Sequence, residues 1–153
     1  MHRPPAGGWV VRPARGTDAP ALAALCAEHA AYERLAHRVP GHAARLAQAL
    51  DGGLLRAWLA LLEGRPVGYA SATLDYSTLA GAPFLHLDCL YLDAAARGQG
   101  LGTELMAAVA AQARALGCAQ LQWQTPVWNA DAIRFYDRLG ATRLEKCRYQ
   151  WAL

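Results

Sequence analysis

The segment Arg97-Gly98-Gln99-Gly100-Leu101-Gly102-Thr103 carries the residue types best suited to holding an anion. An apolar run before it, Phe84 to Leu92, reads as a strand. Thr103 to Leu116 after it reads as a helix. A helix start leaves backbone N–H groups without partners and presents the positive end of the helix dipole, and both favour a phosphate. Gly98, Gly100 and Gly102 remove the Cβ atoms that would hold a ligand away from the backbone. Two commoner phosphate loops do not fit. A dinucleotide fold wants G-x-G-x-x-G early, with an acid about twenty residues on, whereas this turn comes late and follows a hairpin. A P-loop needs Gly-Lys-Ser/Thr, and the chain has no such run.

The other reactive residues point to less. Cys26, Cys89, Cys118 and Cys147 form no C-x-x-C pair, and no His stands at metal-ligand spacing from them. They read as buried, reduced thiols of a cytoplasmic protein that needs no metal. Cys89 lies within an apolar strand, where burial raises the thiol pKa and argues against a nucleophile.

The elements that must position the glycine turn follow from periodicity and punctuation. Trp9 to Pro13 reads as a strand. Asp18 can cap a helix with Pro20 in its first turn, and Leu22, Leu25, Cys26, His29 and Tyr32 share its apolar face. A shorter helix spans about 42–50 and ends at Gly52-Gly53. Arg56 to Leu62 and Val67 to Leu74 form a hairpin around Glu63-Gly64-Arg65-Pro66. A loop, Asp75 to Pro83, leads to the strand before the turn. Gln120 to Thr125 is a strand. Asn129 caps a helix running to Leu139, and Thr142 to Trp151 supplies a last strand.

The chain has 153 residues, 54% of them hydrophobic and 18% charged, and a formal charge of +3. This bounds it to one globular domain over 9–153, after a loose, Pro- and Gly-rich tail over 1–8. The basic residues form no run, so nucleic acid is not indicated as a partner, and no apolar stretch suits a membrane span.

Arg97-x-x-Gly100-x-Gly102 between strand and helix resembles the acetyl-CoA motif of the GCN5-related N-acetyltransferases (GNAT). Trp128-Asn129-x-x-Ala132-Ile133-x-Phe135-Tyr136-x-x-Leu139-Gly140-Ala141 resembles the second half of that family's cofactor site. Tyr32-Glu33, Tyr76-Ser77-Thr78 and Trp128-Asn129 are similar to the diamine (spermidine/spermine) and thialysine acetyltransferase branch. The resemblance implies an α/β (α+β) fold with a central mixed, mostly antiparallel, twisted sheet of about six or seven strands flanked by about four helices.

It also implies roles. The pantetheine arm of acetyl-CoA would pair with Leu90, Tyr91 and Leu92 by strand addition. The diphosphate would sit on the N–H groups of Gly98, Gln99, Gly100, Leu101, Gly102 and Thr103, with Arg97 adding a charged hydrogen bond. Asn129 and Ala132 would complete the cofactor site. A backbone N–H near Leu90 would donate to the thioester oxygen. Tyr136 matches the family's general acid, a phenol of pKa about 10 that keeps its proton at neutral pH. Asp88 stands where the branch carries a glutamate, and Cys89 replaces an acid at the next position. Three readings of Asp88 stay open: general base, with or without a water relay; binder of the ammonium; structural carboxylate. His86 projects to the same strand face and could share the base role or be a strand histidine. Tyr32, Glu33 and Trp123 are candidate acceptor contacts or plain helix-end and packing residues.

The implied activity is acetyl-CoA-dependent N-acetyl transfer, by direct attack of a primary amine in a ternary complex. Arg34 to Arg38 is basic where polyamine acetylators tend to be acidic, which favours a small amine or amino acid of one or two positive charges. A non-catalytic acyl-CoA-binding module and an acetyltransferase of protein N-termini or lysines are the alternatives. A homodimer pairing near Tyr149 and Trp151 is also implied.

Overall fold

The computed structural model describes residues 8–153. They divide after Trp123 into two compact units. The expected tail lies outside the described residues except for Gly8, whose carbonyl accepts from the Glu63 N–H at 2.8 Å.

The N-terminal unit is a five-stranded sheet in the order β1-β2-β3-β4-β5. The strands are β1 (Trp9–Pro13), β2 (Arg56–Leu62), β3 (Arg65–Ser77), β4 (Ala82–Leu92) and β5 (Leu121–Gln122), with helices α1 (Ala19–Tyr32), α2 (His42–Asp51) and α3 (Leu101–Ala115). β1 to β4 are antiparallel neighbours, and β5 joins β4 in parallel. The mixed, mostly antiparallel sheet is therefore as expected, with fewer strands.

The β2–β3 turn is tighter than the four residues read from sequence. Glu63 and Gly64 both take positive φ, 50° and 78°. That is the two-residue turn whose twist matches paired strands, so Arg65 and Pro66 already belong to β3. The expected loop Asp75 to Pro83 is mostly strand as well. Asp75, Tyr76 and Ser77 pair with Phe84, Pro83 and Ala82. Pairing across the hairpin outweighs the turn preference of Asp, Ser and Pro when each is read alone.

Leu22, Leu25, Ala57, Leu59 and Tyr69 form a buried cluster between α1 and the sheet, edged by Cys26, Cys89 and Tyr91. Asp18 does not cap α1 with its side chain. Its carboxylate instead takes two hydrogen bonds from Arg12, at 2.8 and 2.9 Å, and one from the Arg15 N–H at 2.8 Å. α3 packs on the sheet across β1 to β4.

The C-terminal unit, Gln124–Leu153, holds α4 (Ala130–Arg138). The strand expected over Thr142 to Trp151 is absent: these described residues join no ladder. A strand-like segment forms a strand only where a neighbouring edge accepts its hydrogen bonds. The cysteines are less uniformly buried than expected. Cys118 is buried, Cys26 and Cys89 are half-buried and Cys147 is exposed. Among the described residues, no helix is long and apolar enough to cross a membrane.

Candidate active site

β4 carries the centre of the site. Its pairing with β3 slips by one residue: Ser71 faces Cys89 and Ala72 faces Leu87, so Asp88 is an extra residue in a bulge. A bulge re-aims the side chain it carries, and that of Asp88 is 61% exposed. His86 Nε2 lies 3.9 Å from Asp88 Oδ1, so the two do share a face, at ion-pair distance. The Cys89 thiol donates to Asp88 Oδ2 at 3.5 Å. Burial pushes that thiol up to about 12, and the Asp88 charge adds to the effect. Cys89 is thus a hydrogen-bond donor and a poor nucleophile.

Among the described residues, β4 has no second ladder partner toward its end. β5 pairs only Leu121 with Leu85 and Gln122 with His86. Leu90, Tyr91 and Leu92 lie past that ladder, where an extended ligand can pair with backbone groups. Trp123, directly after β5, is half-buried.

The glycine turn follows at once. The Asp93 carboxylate accepts from the Ala96 N–H at 3.0 Å and closes a single 3-10 turn over Ala94–Ala96. Gly98 and Gly100 then take φ of +77° and +86°. A Cβ on either would meet no atom of the described residues within 4 Å, so among them the space above the turn is open. Gly100 is the N-cap of α3 and offers no side chain to the helix start. The first-turn N–H groups of Leu101, Gly102 and Thr103 thus keep the donor capacity that an anion uses. Leu101 is fully buried and anchors the turn to the core.

Two turn side chains face the protein. Gln99 Nε2 donates to the Ala95 carbonyl at 3.1 Å. Arg97 Nε donates to the Leu92 carbonyl at 3.0 Å, and its guanidinium lies 4.7 Å over the ring of Tyr32. Arg97, implied as a phosphate ligand, therefore also ties the turn to the end of α1.

The end of α1 brings Tyr32 and Glu33 beside β4. The Tyr32 and Tyr91 rings are 6.3 Å apart. Glu33 Oε1 lies 3.5 Å from His29 Nε2. His29 stacks on Tyr91, centroids 5.2 Å apart and planes 18° from parallel, while its Nδ1 meets the Tyr69 hydroxyl at 2.7 Å. Sequence reasoning placed His29 on an apolar helix face and gave no role to it or to Tyr69. The available signal was a histidine among leucines on a buried face, which needs a polar partner.

In the C-terminal unit, Asn129 Oδ1 accepts from the Ala132 N–H at 3.3 Å and caps α4. Ala132 and Tyr136 stand one turn apart on the same face of that helix, and the Tyr136 ring lies 5.4 Å from that of Phe135.

The open glycine turn and the strand edge beyond β5 fit a ligand with a diphosphate and an extended amide arm, as in coenzyme A.

Comparison with known proteins agrees. The Acetyltransferase (GNAT) family matches residues 22–141. The chain is 31% identical over 147 residues to the thialysine N-epsilon-acetyltransferase of Bos taurus, covering 88% of this chain and 85% of that one. It is 29% identical over 125 residues to the Caenorhabditis elegans protein of the same name, covering 82% and 78%. The aminoglycoside N-acetyltransferase AAC(6')-Iy, solved in complex with CoA, has a TM-score of 0.83, 20% identity and 99% coverage of both chains, and so shares the fold. The chain belongs to the GNAT family and is an N-acetyltransferase that uses acetyl-CoA.

Proposed function

We propose that this enzyme acetylates a primary amine of a small molecule, an amine or amino acid of one or two positive charges, by direct attack in a ternary complex. The bulge that turns Asp88 outward beside His86 carries this reading. It leaves a carboxylate and an imidazole on the strand just before Leu90 to Leu92. The relatives named for thialysine, a small amine-bearing molecule, support the substrate class.

Alkyl amines have a pKa of about 10.4 and must lose a proton to attack. Asp88, directly or through a water with His86 beside it, receives that proton or holds the ammonium in place. Bound acetyl-CoA supplies the activated acetyl group. The N–H near Leu90 donates to the carbonyl oxygen where negative charge grows. Gly98 to Thr103 and Arg97 hold the diphosphate, and Asn129 and Ala132 complete the cofactor contacts. Tyr136, assigned by the motif it shares with the family, returns a proton to the leaving sulfur. Tyr32, Glu33 and Trp123 border the acceptor. The free state of all four cysteines supports a cytoplasmic setting. Tyr149 and Trp151, both exposed, support pairing into a homodimer.

Steady-state kinetics of Tyr136→Phe and Asp88→Asn test this assignment. Each lowers kcat by about 10²-fold or more while coenzyme A affinity holds. Unchanged kcat in both would remove their roles. Turnover confined to protein N-termini or protein lysines would remove the small-molecule acceptor.

A further inference from the structure

A polar line runs beneath the α1 side of the site, and its direction follows from which groups can donate. His29 Nδ1 is 2.7 Å from the Tyr69 hydroxyl, and its Nε2 is 3.5 Å from Glu33 Oε1. The Glu33 carboxylate only accepts, so the nitrogen facing it must carry the proton. Nδ1 of a neutral imidazole is then the acceptor, and Tyr69 donates to it. Tyr69 is 2% exposed, and burial pushes its ionisation far up, so the phenol always has that proton to give. Every donor in the line points toward Glu33.

The imidazole is held on each side. Tyr91 stacks on one face, and the Tyr69 ring meets it edge-on at a centroid distance of 5.8 Å. A side chain so fixed cannot swing away and leave Glu33 to water.

We propose that His29 is a positioning residue. Through the Tyr69–His29–Glu33 line it fixes Glu33 as a carboxylate that receives the second cationic group of the acceptor amine. This rests on the small-amine reading above, in which Glu33 already borders the acceptor, and deepens it by naming the residue that orients that carboxylate.

A pH dependence follows. The charged and titratable groups around His29 and its partner Tyr69 are Cys26 on α1, Glu33 just past its end, Tyr69 on β3, and Asp88, Cys89 and Tyr91 on β4. Arg97 lies 6.0 Å over Tyr91, and Glu28 also acts on that phenol. Burial lowers the His29 pKa, against the opposing pull of Glu33 and Asp88, so the ring is neutral at neutral pH. Once protonated, it forms an ion pair with Glu33 and cancels the charge the substrate needs.

The test is the ratio of kcat/KM for a diaminoalkane to that for the monoamine of equal length. The ratio cancels the ionisation of the attacking amine. In the wild type it falls on the order of fivefold as the pH is taken well below the ordinary imidazole range, mostly through KM. His29→Leu and Glu33→Gln both start at the low ratio and lose the pH dependence. His29→Gln, which can donate to Glu33 without titrating, restores part of the ratio and keeps it flat with pH. A second readout needs no turnover: nitrogen NMR shows His29 protonated at Nε2, and Tyr69→Phe alters that signal. Equal ratios in wild type and His29→Leu, or a proton on Nδ1, would overturn the inference alone. A wild type that acetylates no small amine would remove the reading on which it rests.

Discussion

The guanidinium of Arg97 lies 4.7 Å above the ring of Tyr32 while its Nε donates to the Leu92 carbonyl. One side chain thus joins the end of β4, the glycine turn and the end of α1. In the function proposed above, that contact would link the cofactor side of the site to the acceptor side. Lysine keeps the charge but not the planar fork or the stack. Arg97→Lys is expected to lose roughly 0.5–1 kcal/mol of stability with little change in coenzyme A affinity. Arg97→Gln loses the same stability and also weakens coenzyme A binding several-fold. Denaturant melts beside calorimetry separate these effects. Equal affinity in all three proteins would confine Arg97 to a structural role.

Gly100 needs its missing Cβ twice. Its φ of +86° is strained for any other residue, and the space a Cβ would enter is empty of protein. Gly100→Ala should cost about 1–2 kcal/mol from the backbone alone. Gly117 is the control, because its φ is +76° and its surroundings are equally open. Gly117→Ala should show a similar loss of stability. Only Gly100→Ala should raise the coenzyme A Kd, by tenfold or more. Matching Kd values in the two variants would mean that the diphosphate lies elsewhere.

What the sequence revealed and what it hid divide along physical lines. The glycine turn, both ends of β1 and β2 and the start of α2 depend on a few adjacent residues, so local chemistry exposes them. The bulge at Asp88 leaves no mark in composition, because it is a fact of register between β3 and β4. His29 and Tyr69 lie 40 residues apart and meet only once α1 lies on the sheet. His29 therefore reads as one more member of an apolar face. The missing last strand is the reverse case: Thr142 to Trp151 reads as a strand, but a ladder needs a partner that no sequence window contains.

The four thiols should differ in reactivity. Cys147 is exposed, Cys118 is buried, and burial raises both Cys26 and Cys89, the latter to about 12. Since the thiolate is what alkylates, iodoacetamide at pH 8 should label Cys147 well before Cys89. Peptide mass spectrometry over a time course reads this directly, and unfolding in urea should expose all four. Labelling of native Cys89 as fast as Cys147 would contradict the packing described around Tyr69.

The Arg12–Asp18 pair gives a stability dependence at acid pH. Hydrogen bonds from Arg12, chiefly, hold the Asp18 carboxyl down at about 2 against an ordinary 3.8. A depressed carboxylate stabilises the fold fully above its unfolded value and loses that contribution as pH falls through its folded value. The window is therefore about pH 4 down to pH 2. Arg12 is 43% exposed, so solvent screens the pair and its worth stays under about 1 kcal/mol. Asp18→Asn keeps an acceptor for the Arg15 N–H but removes the charge. Urea midpoints should place it below the wild type at pH 6, with the gap closing as pH approaches 2. A gap of constant size across that range would show that the Asp18 charge contributes nothing.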